Sequence, residues 1–443
     1  MPEAFSISMA ELAAREPKAW PDELISQKHL IYSSPAALAF NSPGAEGFGV
    51  KRAALTLPGS VMLLFSPGCC GRNTSALGGP ESRYGQRTFY LLLDETDIVT
   101  GRYQSAIVDA CEEIAKSQSP APEVIVLLST CVDALLATDM DRLVRLAQER
   151  TGIACVAATM YALTREGHIP PMVAVRRTLY SLLRKAPKDP RRVNLLGFFT
   201  PLADSCELYA LLQQAGFSQV QELSRMQNMT QYQDLARANF NLVLHPESRL
   251  AAKIFEEKLA IPSIELSQSF ELDKIQKQYA ILSRLLPVPL NDQKPYAEAL
   301  AKKEASKAML RDLTFAIGET SNAEPFGLAL ALLRMGAHVA EIFAEPAPEK
   351  LALIKAIATI SPRTRLASNL SPSMLFYEAR PGEVDVAIGS DACYYHPESA
   401  QLPFLDDAKP FGYQGFMQLM TAIETACQGR TQKAKGGDAC AAS

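Results

Sequence analysis

Short, continuously apolar runs recur along this chain, each closed by a turn and followed by a helical pattern, and this rhythm limits the fold more than any other feature. The runs at 61–65 (VMLLF), 88–93 (TFYLLL), 124–128 (VIVLL), 193–199 (VNLLGFF), 240–245 (FNLVLH) and 313–317 (LTFAI) do not alternate with polar residues. Strands covered on both faces read this way, and strands separated by helices build parallel sheets. The chain is therefore expected to be α/β, with three parallel-sheet, Rossmann-like domains. With 443 residues, 48% of them hydrophobic, it is long enough to bury several cores.

The first domain is expected over residues 1–190, with strands at 61–65, 88–93, 124–128 and 153–157. Between the second and third of these, Ile107, Ala110, Cys111 and Ile114 share one helical face, which makes Cys111 a core residue. The segment APKDPRR, rich in proline and charge, marks a boundary before a second domain over 191–300. A third spans 301–430, with strands at 313–317, 338–343 and 384–388 and a last helix at 414–426. The polar stretch 431–443 reads as a disordered tail.

Several function classes find no support. A formal net charge of -4 and a pI near 5.9 supply no basic stripe for nucleic acid. No apolar run approaches a membrane span and the first residues lack a signal pattern, so the expectation is a cytoplasmic protein. Neither GxGxxG after a strand nor a Walker-type phosphate loop occurs, so the chain itself is expected to bind no nucleotide. The five histidines (His29, His168, His245, His338 and His396) include no HExxH pair. His245, Glu319 and Asn322 are candidate polar contributors to a cleft, each also readable as an ordinary strand-end or capping residue.

Cysteine chemistry survives these exclusions. Nine cysteines are scattered without a CxxC pair or disulfide-type spacing. Cys69 and Cys70 follow the turn that closes the first strand, in SPGCCG, and Cys131 follows the strand at 124–128. Open α/β sheets place their chemistry at the carboxyl ends of strands, so thiols at two such ends point to a shared ligand. Thiolates are soft donors suited to iron–sulfur clusters, and two or three per chain leave a ligand deficit. The competing readings are three buried structural cysteines, or a redox-active vicinal pair at Cys69 and Cys70.

The order of motifs resembles component 1 of nitrogenase and its relatives, including the light-independent protochlorophyllide reductases and the related enzyme of nickel-tetrapyrrole synthesis. The resemblance rests on SPGCCG, on Glu95 to Gly101 (ETDIVTG), and on LLSTCVDALLATDMD. It continues more weakly through NLVLHPESRLAAKIFEEKLAIPSIEL and FGYQGFMQL. It implies that Cys70 and Cys131 occupy cluster-ligand positions, with Cys69 as the neighbouring alternative. A 4Fe-4S or larger cluster would then lie at a subunit interface, in a homodimer or in a heterodimer with a sister subunit. An ATP-hydrolysing iron–sulfur reductase would dock and deliver low-potential electrons. Three departures matter: the family's earlier cysteine is missing from NSPGAEGFG, and its cofactor-anchoring cysteine and histidine would fall near Pro246 and Leu405, where neither exists. The resemblance thus implies an electron-relay subunit acting on a bound substrate, with a metallocluster maturation scaffold and a metal-free structural subunit as the alternatives.

Overall fold

The computed structural model describes residues 3–28, 50–67, 85–160, 169–405 and 408–440. In chain order its strands are β1 (Ile7–Ser8), β2 (Ser60–Ser66), β3 (Thr88–Leu92), β4 (Val124–Ser129), β5 (Ala154–Thr159), β6 (Arg192–Leu196) and β7 (Gln219–Glu222). They continue with β8 (Phe240–Val243), β9 (Ser263–Glu265), β10 (Thr314–Gly318), β11 (His338–Phe343), β12 (Arg365–Ala367), β13 (Val386–Ile388) and β14 (Ala400–Leu402). Among the described residues these make three sheets, ordered β3-β2-β4-β5, β7-β6-β8-β9 and β1-β12-β11-β10-β13-β14. All neighbours pair in parallel except β1, which runs antiparallel to β12.

The chain groups into two compact units. Residues 42–201 and 216–267 carry both four-stranded sheets; residues 1–41, 202–215 and 268–443 carry the six-stranded one. In the first unit, β2 and β4 show why their sequences are apolar throughout. Met62, Leu64, Val124, Val126 and Leu128 enter one core, whereas Val61, Leu63, Phe65, Ile125 and Leu127 enter another on the opposite face. Side chains alternate across a strand, so a strand covered on both sides needs apolar residues at every position. Cys111 sits in the second of these cores, on the helix Tyr103–Ser117, as its helical face requires.

Each sheet reverses its strand order once, and that reversal positions the candidate sites. From β2 the chain adds β3 on one side and β4 on the other; β6 does the same with β7 and β8, and β10 with β11 and β13. At such a point the two following loops part, opening a crevice beyond the strand carboxyl ends.

The structure adds elements that the sequence reading did not contain. Strands β1, β9, β12 and β14 are two or three residues long, too short to show a period. The last helix, expected at 414–426, runs from Gly412 to Cys440 and takes in most of the polar tail. Arg430, Gln432, Lys433, Ala434 and Lys435 are good helix formers with no proline among them, which lets the helix continue past Gly429. Among the described residues no helix is long and apolar enough to cross a membrane.

Candidate functional site

The reversal between β2 and β4 carries one of the sequence's metal candidates, Cys131. Leu64 pairs with Leu128, so Ser66 at the end of β2 falls beside Thr130 just past β4. Cys131 opens the short helix Cys131–Leu135, and Asp133 is the third residue of that helix. The Asp133 carboxylate turns back to accept a hydrogen bond from the Thr130 backbone N–H at 2.8 Å, which satisfies one of the donors exposed where a helix begins. Burial pushes the Asp133 carboxyl up to about 6. Cys69 and Cys70 lie outside the described residues. Among the described residues no group of three His, Cys, Asp or Glu side chains could hold a metal ion.

Three oxygens at this edge stand apart. Ser66 Oγ, Thr130 Oγ1 and Asp133 Oδ1 are buried and, among the described residues, have no hydrogen-bond partner, in residues that are 0%, 1% and 3% exposed. Buried polar groups are ordinarily paired, so three orphans at one strand-end crevice have hydrogen-bonding capacity that water or a ligand could take up. Cysteines elsewhere look different. Cys111, Cys155, Cys206 and Cys393 are buried thiols. Burial pushes the Cys111 thiol up to about 12 and those of Cys155 and Cys393 to about 11, which suppresses the reactive thiolate.

At the reversal between β6 and β8, His245 follows β8. Its Nδ1 accepts the Glu247 N–H at 3.3 Å, and its ring meets Phe198 edge-on at 5.8 Å. Close to Glu247 lies the buried guanidinium of Arg176. It donates to the carbonyls of Gly197 at 3.1 Å and Met172 at 2.9 Å and to Glu247 at 2.5 Å, and it lies 4.3 Å from the Phe199 ring centre. Burial lowers its basicity while the Glu247 charge acts in the opposite sense. An arginine inside an amphipathic helical pattern gives no sign that its charge turns inward, and so this pair was missed.

The reversal between β10 and β13 contains Glu319, Thr320 and Asn322. Here Asp391 is wholly buried and accepts from the Glu319 N–H at 3.0 Å, the Thr320 N–H at 3.3 Å, the Thr320 hydroxyl at 2.6 Å and the Asn369 amide at 2.6 Å. Glu319 accepts from the same Asn369 amide at 3.1 Å. Asn322 gives its N–H to the Phe404 carbonyl at 2.8 Å and accepts from Lys409. Nearby in the same unit, Glu341 accepts from Tyr377 at 2.5 Å, lies 3.0 Å from His396 Nε2 and pairs with Arg365, which also reaches Glu383 at 2.7 Å. Burial pushes the Glu341 carboxyl upward, but hydrogen bonds from His396, Tyr377 and Arg365 outweigh it and bring the group to about 2. No local pattern announced these clusters, whose members lie tens of residues apart.

The comparisons with known proteins agree with this architecture. A family model described as "Nitrogenase component 1 type Oxidoreductase" matches residues 46–428. Two curated relatives are "Nitrogenase iron-molybdenum cofactor biosynthesis protein NifE" from Klebsiella pneumoniae and from Rhodobacter capsulatus. Each is 22% identical, over 397 and 398 residues, or 82% of this chain and 83% and 80% of the relative. Among solved structures, "Nitrogenase Cp1 at pH 6.5" superposes with a TM-score of 0.70 at 16% identity, covering 94% of this chain and 97% of that one. "Nitrogenase Cp1 at pH 5" gives 0.60 at 16% identity, with 85% and 87% covered. With the family model spanning most of the sequence and the fold shared across nearly its whole length, the chain belongs to the nitrogenase component 1 type oxidoreductases.

Proposed function

We propose that this chain is an iron–sulfur-carrying subunit of a nitrogenase component 1-type assembly, with the group held at the β2/β4 edge through Cys131 and Cys70, Cys69 being the alternative to Cys70. The observation that carries this reading is the concentration of orphaned, buried oxygens around the strand end that leads into Cys131. An iron–sulfur group would supply reversible one-electron chemistry there. Protein atoms do the rest: Asp133 fixes the Thr130 backbone, and Phe65 and Leu128 beneath the edge are fully buried, which keeps water away and influences potential. Two thiols per chain fit a cluster shared with a second subunit, either a copy of this chain or a sister chain.

The role favoured for this group is metallocluster maturation, a scaffold that receives a cluster and hands it on. The curated relatives support this, being named for iron-molybdenum cofactor biosynthesis and similar over most of both chains. A second reading, electron relay from an ATP-hydrolysing iron–sulfur reductase to a bound substrate, is favoured by the segment His245-Pro246-Glu247. It offers no thiol where the resemblance puts the cofactor anchor, and His245 Nδ1 is already engaged with the Glu247 N–H.

Anaerobic purification and reconstitution test the shared premise. Wild-type protein should carry iron and show a broad brown absorbance bleached by dithionite, and Cys131→Ala should lose most of both. A colourless wild type without iron would sink the proposal. Incubation of the loaded protein with an apo-acceptor, and separately with reductase and ATP, then divides the roles. A scaffold transfers iron to the acceptor, whereas a relay keeps its cluster and consumes electrons.

A further inference from the structure

Ser66 and Thr130 lie level with each other at the ends of neighbouring strands, and among the described residues neither hydroxyl has a hydrogen-bond partner. The β2/β4 register carries Leu64 opposite Leu128, and two more residues along each strand bring Ser66 level with Thr130 on the same sheet face. That face is the one whose lower positions, Met62, Leu64, Val126 and Leu128, are packed in hydrocarbon. Among the described residues neither hydroxyl finds an acceptor, although both are buried. The neighbouring hydroxyl of Ser129, on the other face, does find one, at the Ala158 carbonyl. A strand end needing only to fill space would carry alanine and valine here, because a buried hydroxyl without a partner is unfavourable.

We infer that the Ser66 and Thr130 hydroxyls donate hydrogen bonds to sulfur atoms of the iron–sulfur group and thereby set its reduction potential. This rests on the cluster assignment proposed above. Sulfide and thiolate sulfurs accept hydrogen bonds, and a neutral hydroxyl meets that need without adding charge. Such bonds favour the reduced, more negative state over the oxidised one, so each raises the potential. Thr130 is the better placed of the two, since it adjoins Cys131 and its backbone is pinned by Asp133.

The test uses full-length protein carrying Ser66→Ala, Thr130→Val, both together, or Thr130→Ser, reconstituted anaerobically and titrated by dithionite with the cluster followed by electron paramagnetic resonance. The metal-free proteins are unfolded in urea alongside. The expected result is iron content equal to wild type and a potential shifted to more negative values by each single change. The double change should shift further, and Thr130→Ser should restore the wild-type potential. Metal-free Ser66→Ala and Thr130→Val should be as stable as wild type or more so. A double variant that takes up iron and titrates at the wild-type potential overturns the inference and leaves the cluster assignment standing. Metal-free variants that lose stability overturn it as well, because the hydroxyls would then serve the fold. A wild type that takes up no iron removes both proposals.

Discussion

The carboxyl edges of β2/β4 and of β10/β13 hold the same topological place in their sheets, and their polar groups are treated in opposite ways. At β10/β13 the buried Asp391 is saturated: four hydrogen bonds from Glu319, Thr320 and Asn369 reach it, and its own N–H donates to the Thr320 hydroxyl at 2.9 Å. At β2/β4, among the described residues, Ser66 Oγ, Thr130 Oγ1 and Asp133 Oδ1 have no hydrogen-bond partner. A crevice at a strand reversal is a geometric opportunity that a sequence can either close or leave open. Closing it yields a rigid joint; leaving it open costs stability that a bound water or a ligand can return.

The largest effect that would sharpen this contrast belongs to Gly318. A Cβ there would overlap the Asp391 carboxylate, forcing it off several of its hydrogen bonds. Gly318→Ala is expected to destabilise by on the order of 4 kcal/mol, or to prevent folding. Urea unfolding measures it, and a loss under about 1 kcal/mol would mean that the joint is not rigid.

The next effect comes from the ion network in the same unit. The folded-state Glu341 carboxyl is depressed to about 2 from the ordinary 4.5, so its stabilisation is fully present above pH 4.5 and is lost as pH falls through 2. The loss is on the order of 3 kcal/mol. Stability measured between pH 5 and pH 2 should fall more steeply for wild type than for Glu341→Gln. Parallel acid profiles for the two proteins would break the assignment.

Much of the fold was legible because parallel strands buried on both faces must be apolar at every position, as β2 and β4 are. The end of β2 was legible for a related reason, since a strand that runs into Ser66-Pro67-Gly68 announces its own close, whereas Cys69, Cys70 and Cys131 remain candidates of the sequence, the first two outside the described residues. The rest could not be read locally. Asp391 is satisfied by Thr320 and Asn369, 71 and 22 residues away, and Arg176 is held by Glu247, 71 residues on. A short strand such as β12 lies beside the longer β11, which templates it, and the three residues of β12 or β14 carry no period of their own. Whether Ser66 and Thr130 were paired or orphaned was likewise invisible, since the residue type is the same in either case.

The smallest predicted effect is also the most discriminating, because it applies one chemical change to both edges. Thr320→Val removes a hydroxyl that donates to a buried carboxylate at 2.6 Å and accepts from the Asp391 N–H. It should cost about 2 kcal/mol, as bonds to charged groups do. Thr130→Val removes a hydroxyl that bonds to nothing among the described residues. In metal-free protein it should change stability by about zero or raise it by up to about 1 kcal/mol, because the methyl group fills the same volume without an unpaired donor. Equal losses at the two positions would show that the edges are both structural joints. A loss at Thr320 alone would mean that the Thr130 hydroxyl does not serve the fold, as the hydrogen bond to a bound group proposed above requires.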